Sequence, residues 1–126
     1  MARRYLTRSE AASAIRRQRT VEAFLGGFDA GEEKSIRRLV IYGDGTGVSA
    51  EIWESPDIGS EDFADVYEFG TLDHDGEPAV IFPRQSLEGF LDVIDAQYPG
   101  TSARLVNEGV VQDEYLDYKR NVSDSM

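Results

Sequence analysis

Between Leu39 and Pro83 the chain carries eleven carboxylates (Asp44, Glu51, Glu54, Asp57, Glu61, Asp62, Asp65, Glu68, Asp73, Asp75 and Glu77) and not one Lys or Arg. The net charge of all 126 residues is also −11, so the rest of the chain balances itself and the acidity is local. The same stretch holds the apolar alternation of a sheet. Val48, Ala50 and Ile52 share one face of a strand, and Ser49, Glu51 and Trp53 share the other. The acid is thus predicted to stand on a rigid frame, which points to an interaction surface more than to a reaction.

The Gly43–Asp44–Gly45–Thr46–Gly47 run lies between predicted strands 36–42 and 48–54 and reads as a tight hairpin whose glycines supply positive φ angles. A phosphate-binding loop is the competing reading of so many glycines. It lacks the lysine and Ser/Thr pair and is followed by a strand, not a helix. A third strand is expected at 66–69 and a fourth at 79–82, joined by a hairpin with Asp73, Asp75, Gly76 and Glu77 at its tip. Asp73, Asp75 and Glu77 have the opening spacing of a calcium loop, but Pro78 stands where the turn glycine belongs and Arg84 where the closing glutamate belongs. The ordinary reading is a solvated turn.

From Ser86 the period changes to that of a helix. Leu87, Phe90, Leu91, Ile94 and Tyr98 fall on one stripe, Ser86 caps the start, and Pro99 with Gly100 ends it. This stripe is expected to cover the sheet, so removing Phe90 is expected to unfold the domain.

The start of the chain inverts the charge of the rest. Residues 1–19 hold six arginines against Glu10 alone, whereas residues 20–126 hold 7 basic and 23 acidic groups. Thr7 and Glu10 fit a capping box that starts a first helix near Arg8. Arg16 and Arg17 then sit at its C-terminal end, where the helix dipole favours cations. Thr20 is expected to cap a second short helix over 21–25, ended by Gly26 and Gly27, with Val21, Phe24, Leu25 and Phe28 inward. Residues 1–19 also offer a clamp that could lie across the acidic sheet of the same chain, or of a second copy in a homodimer. Toward the other end, 101–106 suggests a turn of helix, and Val111, Tyr115 and Tyr118 give a helical stripe over 110–119 against a strand reading of 109–111. Residues 1–5 and 120–126 are expected to fray.

The fold expected is a single α+β domain over 1–126. It is a small antiparallel four-stranded meander of two hairpins packed by one amphipathic helix, with short N-terminal helices and a short C-terminal element. No cysteine is present, which removes disulfides and thiolate sites, and His74 is the only histidine. His74 falls in a predicted turn tip. No catalytic residue, metal site or cofactor is therefore assigned. With no signal segment or membrane span apparent, a cytoplasmic protein is the expectation, and the Asn121–Val122–Ser123 sequon reads as chance.

What remains is binding. Trp53, set between Glu51 and Glu54, is either a covered core residue or an aromatic anchor in an acidic rim. The partner-binding set is Glu51, Trp53, Glu54, Asp57, Glu61, Asp62, Asp65, Glu68, Asp73, Asp75 and Glu77. Carboxylates two residues apart on a strand are about 6.7 Å apart, the scale on which phosphates repeat along nucleic acid. The expected function is an acidic protein-binding module, of inhibitor or immunity type, docking on a basic and nucleic-acid-handling partner, without direct nucleic-acid or membrane binding. The alternatives are a carboxylate-dependent hydrolase, or charge that serves solubility alone.

Overall fold

The computed structural model describes residues 4–124, with side chains through Asn121. Its class is α+β, as expected, but the sheet has five antiparallel strands where four were predicted, and three helices cover it. The elements run α1 (Arg8–Arg16), β1 (Val21–Ala30), β2 (Glu33–Asp44), β3 (Gly47–Pro56), β4 (Val80–Gln85), α2 (Leu87–Gln97), β5 (Val106–Asn107) and α3 (Val111–Asp124). Strand order across the sheet is β4-β3-β2-β1-β5.

The capping box forms as read: the Glu10 N–H donates to the Thr7 hydroxyl at 3.0 Å, and the Thr7 N–H to the Glu10 carboxylate at 2.9 Å. The segment predicted as a second helix is β1 instead. Gly26 and Gly27 do not end a helix there. Gly26, at φ 100°, sits where the β1–β2 register shifts between Phe24 and Gly26, so its positive φ serves a bulge inside the strand. Val21 and Phe24 consequently lie on opposite faces of the sheet and enter two different cores.

The β2–β3 hairpin is confirmed, with Asp44 opposite Gly47. Its glycines work differently from expectation, because none of the three has a positive φ. Gly43 is needed for closeness: a Cβ there would collide with the Gly47 carbonyl. The turn itself is held by the Asp44 carboxylate, which accepts the Thr46 N–H at 2.8 Å and its hydroxyl at 2.7 Å.

The predicted third strand is a 3-10 turn, Val66–Glu68, inside a long connection between β3 and β4. Asp65 bonds the Tyr67 N–H and starts that turn, so the β-branched Val66 is buried without any strand pairing. The chain returns through Leu72, whose N–H donates to the Glu54 carbonyl, and enters β4 after Ala79 donates to the Ile52 carbonyl. The acidic tip over 73–77 therefore precedes β4 and is not the end of a second hairpin.

One face of the sheet is apolar apart from the Arg37–Glu54 pair at its edge. Val21, Ala23, Leu39, Ile41, Val48, Ala50, Ile52 and Phe82 meet Ala11 and Ile15 of α1, Phe90, Leu91 and Ile94 of α2, and Leu105. The α2 stripe is as predicted, and Phe90 meets Phe82 edge to face at 5.1 Å. Burying side chains of this size stabilises the fold by about 1.5–3 kcal/mol each before entropy.

The opposite face is closed at the β1 side by α3 and the 3-10 turn. Phe24, Ile36, Val66, Phe69, Val106, Val111 and Tyr115 form this second core. The helical reading of the C-terminal stripe holds and the strand reading of 109–111 does not, although Val106 and Asn107 just before it pair with β1. Residues 120–124 belong to α3. Arg4 and Tyr5 are bonded to α3; residues 1–3 and 125–126 lie outside the described residues.

Candidate functional site

The carboxylates predicted as one surface divide into three groups. Two of them serve the fold. Glu54 pairs with Arg37 of β2 at 2.8 Å. Asp57, 6 % exposed, accepts the Tyr115 hydroxyl and pairs with Lys119 at 3.2 Å, tying α3 to the end of β3. Neither is presented to solvent as a free charge. The cause is local: each lies beside a basic residue that the sequence places far away or on the adjacent strand.

The second group decorates the connection. Asp65 caps the 3-10 turn, Glu61 approaches Arg120 at 3.6 Å, and Asp73 accepts the N–H groups of Asp75 at 2.9 Å and Glu77 at 3.1 Å. The calcium-like spacing is thus an Asp-centred turn that consumes its first carboxylate internally. Asp62, Glu68, Asp75 and Glu77 are exposed on the same connection, and His74 is an exposed residue of the turn.

The third group is Glu51 with Trp53. Both lie on the face opposite the first core, and the half of that face formed by β2, β3 and β4 bears no helix among the described residues. Glu51 stands opposite Val40 of β2 and Ile81 of β4, and Trp53 opposite Arg38. The Trp53 Nε1–H donates to Glu51 Oε1 at 3.1 Å, and the Tyr42 hydroxyl donates to Glu51 Oε2 at 3.2 Å. The carboxylate is therefore oriented by a ring on either side. Burial, then the negative charge of Glu51, raises the Tyr42 hydroxyl pKa. Tyr42 is 40 % exposed and Ile81 66 % exposed, while Trp53 is half-buried. Trp53 belongs to neither core cluster.

Where this face meets the covered half, a polar cluster closes the boundary. Glu22, 1 % exposed, accepts the Tyr67 hydroxyl at 2.6 Å and the Gly109 N–H at 3.0 Å and pairs with Arg38 at 3.3 Å. The Arg38 guanidinium lies 4.9 Å from the centre of the Tyr67 ring. Burial first, and Glu22 second, raise the Tyr67 pKa. Glu22 was absent from the predicted set, and its signal was slight: a lone charge inside the Val21–Ala23 apolar run.

The arginine-rich start does not cross this face. Arg4 joins Glu114 and Asp117 of α3, each at 2.5 Å, and Arg8 joins Glu88 of α2 at 2.7 Å and Asp95 at 3.7 Å. The predicted clamp across the acidic sheet is corrected for these two residues, whose acids lie on helices and not on the sheet; Arg3 lies outside the described residues. A second concavity, at the start of α2, is lined by Arg16, Asp44, Thr46 and Ser86. Ser86 there caps α2, and Asp44 is held down to about 2 by the Thr46 hydroxyl and N–H, with Arg84 adding to this. No helix of the described residues is long and apolar enough to cross a membrane, and among those residues no three metal-ligating side chains converge. No family model, no curated protein and no solved structure matches the chain, so the reading of this face rests on its own geometry.

Proposed function

We propose that this chain is a protein-binding domain that docks a basic partner on the uncovered β2–β3–β4 face, acting by binding and not by a reaction of its own. One observation carries the reading: a rigid sheet surface exposes Tyr42 and Ile81, with half-buried Trp53, around an oriented carboxylate, with no helix of the described residues laid over it. Large aromatic and aliphatic groups at the centre of a surface supply residence, and surrounding charge supplies steering. Asp62, Glu68, Asp75 and Glu77 on the adjoining connection provide that charge. The positively charged groove of a nucleic-acid-handling protein fits such a surface, and an inhibitor or immunity role follows if docking blocks it.

The test is affinity capture from the native cell extract at low and high salt, with the wild-type chain beside a Trp53→Ala, Ile81→Asp double variant whose folding is checked by circular dichroism. The expected result is a basic protein retained at low salt, released by salt and lost with the variant. Capture of the same proteins by both chains would overturn the reading. If the captured protein binds nucleic acid, adding the domain is expected to displace that nucleic acid.

A further inference from the structure

The geometry points to an arginine side chain of the partner as the group that Glu51 receives, an assignment that rests on the docking role of this face. The molecule twice builds the same unit from its own residues. Arg37 pairs with Glu54 at 2.8 Å while its guanidinium lies 3.7 Å from the centre of the Phe28 ring. Arg38 pairs with Glu22 at 3.3 Å with its guanidinium over Tyr67 at 4.9 Å. Each unit joins one carboxylate, one aromatic ring and one arginine.

Glu51 with Trp53 and Tyr42 repeats the carboxylate and ring parts of that unit. Among the described residues, Glu22, Glu51 and Glu54 are the strand carboxylates not fully exposed, and Glu51 alone of the three has no cationic partner. Its position makes this consequential. Val40 and Ile81 flank it across the strands, so the charge sits amid apolar surface and not in an acidic rim. The two ring donors occupy one site on each oxygen, and an ionised carboxylate has about four acceptor sites. The remaining sites match the parallel N–H pair of a guanidinium. Arginine is favoured over lysine because its planar, weakly hydrated group stacks on rings, whereas an ammonium keeps its water.

The single tryptophan gives a direct probe, since the only indole N–H signal in a proton–nitrogen spectrum belongs to Trp53 and is bonded to Glu51. The uniformly labelled chain is titrated with N-acetylarginine N-methylamide and with its neutral citrulline counterpart. The expected result is a saturable shift of the indole signal with the arginine compound, at an affinity about tenfold above that of the citrulline compound, and its loss in Glu51→Gln. Equal responses to the two compounds, or an arginine response that survives Glu51→Gln in a chain with wild-type circular dichroism, would overturn the assignment. The two proposals fail separately. Capture that depends on Trp53, alongside equal responses to arginine and citrulline, removes the arginine assignment and leaves docking intact. A specific indole response with no captured protein removes docking alone.

Discussion

Beneath α1 and α2 the sheet presents Leu39, Ile41, Ala50 and Ile52 to apolar side chains and keeps its one ion pair, Arg37–Glu54, at the edge; beneath α3 it presents Glu22 and Arg38 beside Phe24 and Ile36 and meets Tyr67 and a backbone N–H. The first face gains from burial and shape, which scale with area. The second gains from burial too, but it must also keep each desolvated charge matched, because an unpaired buried carboxylate costs more than the pair returns. A face built the first way can be closed completely. A face that already houses charge in its boundary can stop halfway across and leave the rest open to a partner.

Substitutions sharpen this contrast. The largest effect is expected on the apolar face: Phe90→Ala, at a fully buried site against Phe82, should cost about 3–5 kcal/mol and lower the thermal midpoint accordingly. On the second face, Arg38→Met should cost about 3 kcal/mol, because Glu22 keeps its burial and loses its cation. Urea unfolding of this variant and of the Arg38→Met, Glu22→Gln double variant separates charge from packing. If the double variant is no more stable than the single one, charge matching is not what holds that boundary. Tyr115→Phe removes the hydroxyl given to Asp57 and should cost about 1.5 kcal/mol, less than the first two because Lys119 still reaches the same carboxylate.

A shallower effect is expected with pH. Tyr115, by burial and then Asp57, and Tyr67, by burial and then Glu22, have raised hydroxyl pKa values. A raised folded-state pKa means that the native chain holds protons the unfolded chain has released. Stability is therefore full below the unfolded tyrosine value of about 10 and declines as pH rises above it. Unfolding midpoints measured from pH 8 upward, with tyrosinate absorbance followed in parallel, check the sign. The smallest effects belong to the exposed connection: Asp62→Asn and Asp75→Asn should each change stability by less than about 0.5 kcal/mol.

What could be read from the chain alone was whatever depended on near neighbours. The capping box needs only Thr7 and Glu10, the α2 stripe only its own period, and the β2–β3 hairpin only its two arms. The errors came where a distant contact decided. Two glycines after Val21–Leu25 look like a helix end, yet Gly26 makes a bulge because β2 runs beside it, and Gly27 is kept small by the Tyr118 hydroxyl from α3. Val66–Phe69 has strand composition but no strand within reach, and Asp65 turns it into a 3-10 segment. Within the site, the alternation correctly put Glu51 and Trp53 on one face. The same alternation puts Glu54 on the opposite face, with Ala50 and Ile52, but it had no means of showing that Arg37 of β2 pairs with it there.

The fifth strand also bears on how the chain acquires its structure. β1, β2 and β3 pair as successive hairpins, so their contacts close short loops, whereas β1 pairs Val21 with Asn107 and the Leu6 N–H donates to the Leu105 carbonyl at 2.7 Å. Contacts of such long separation form slowly, because loop closure must precede any gain from them. During synthesis the three-stranded core is expected to assemble first, with Glu22 waiting in solvent for the Gly109 N–H. The second face is then sealed only after the last quarter of the chain has left the ribosome, and a nascent chain stalled before β5 should expose Phe24 and Ile36 to any chaperone that binds apolar strands.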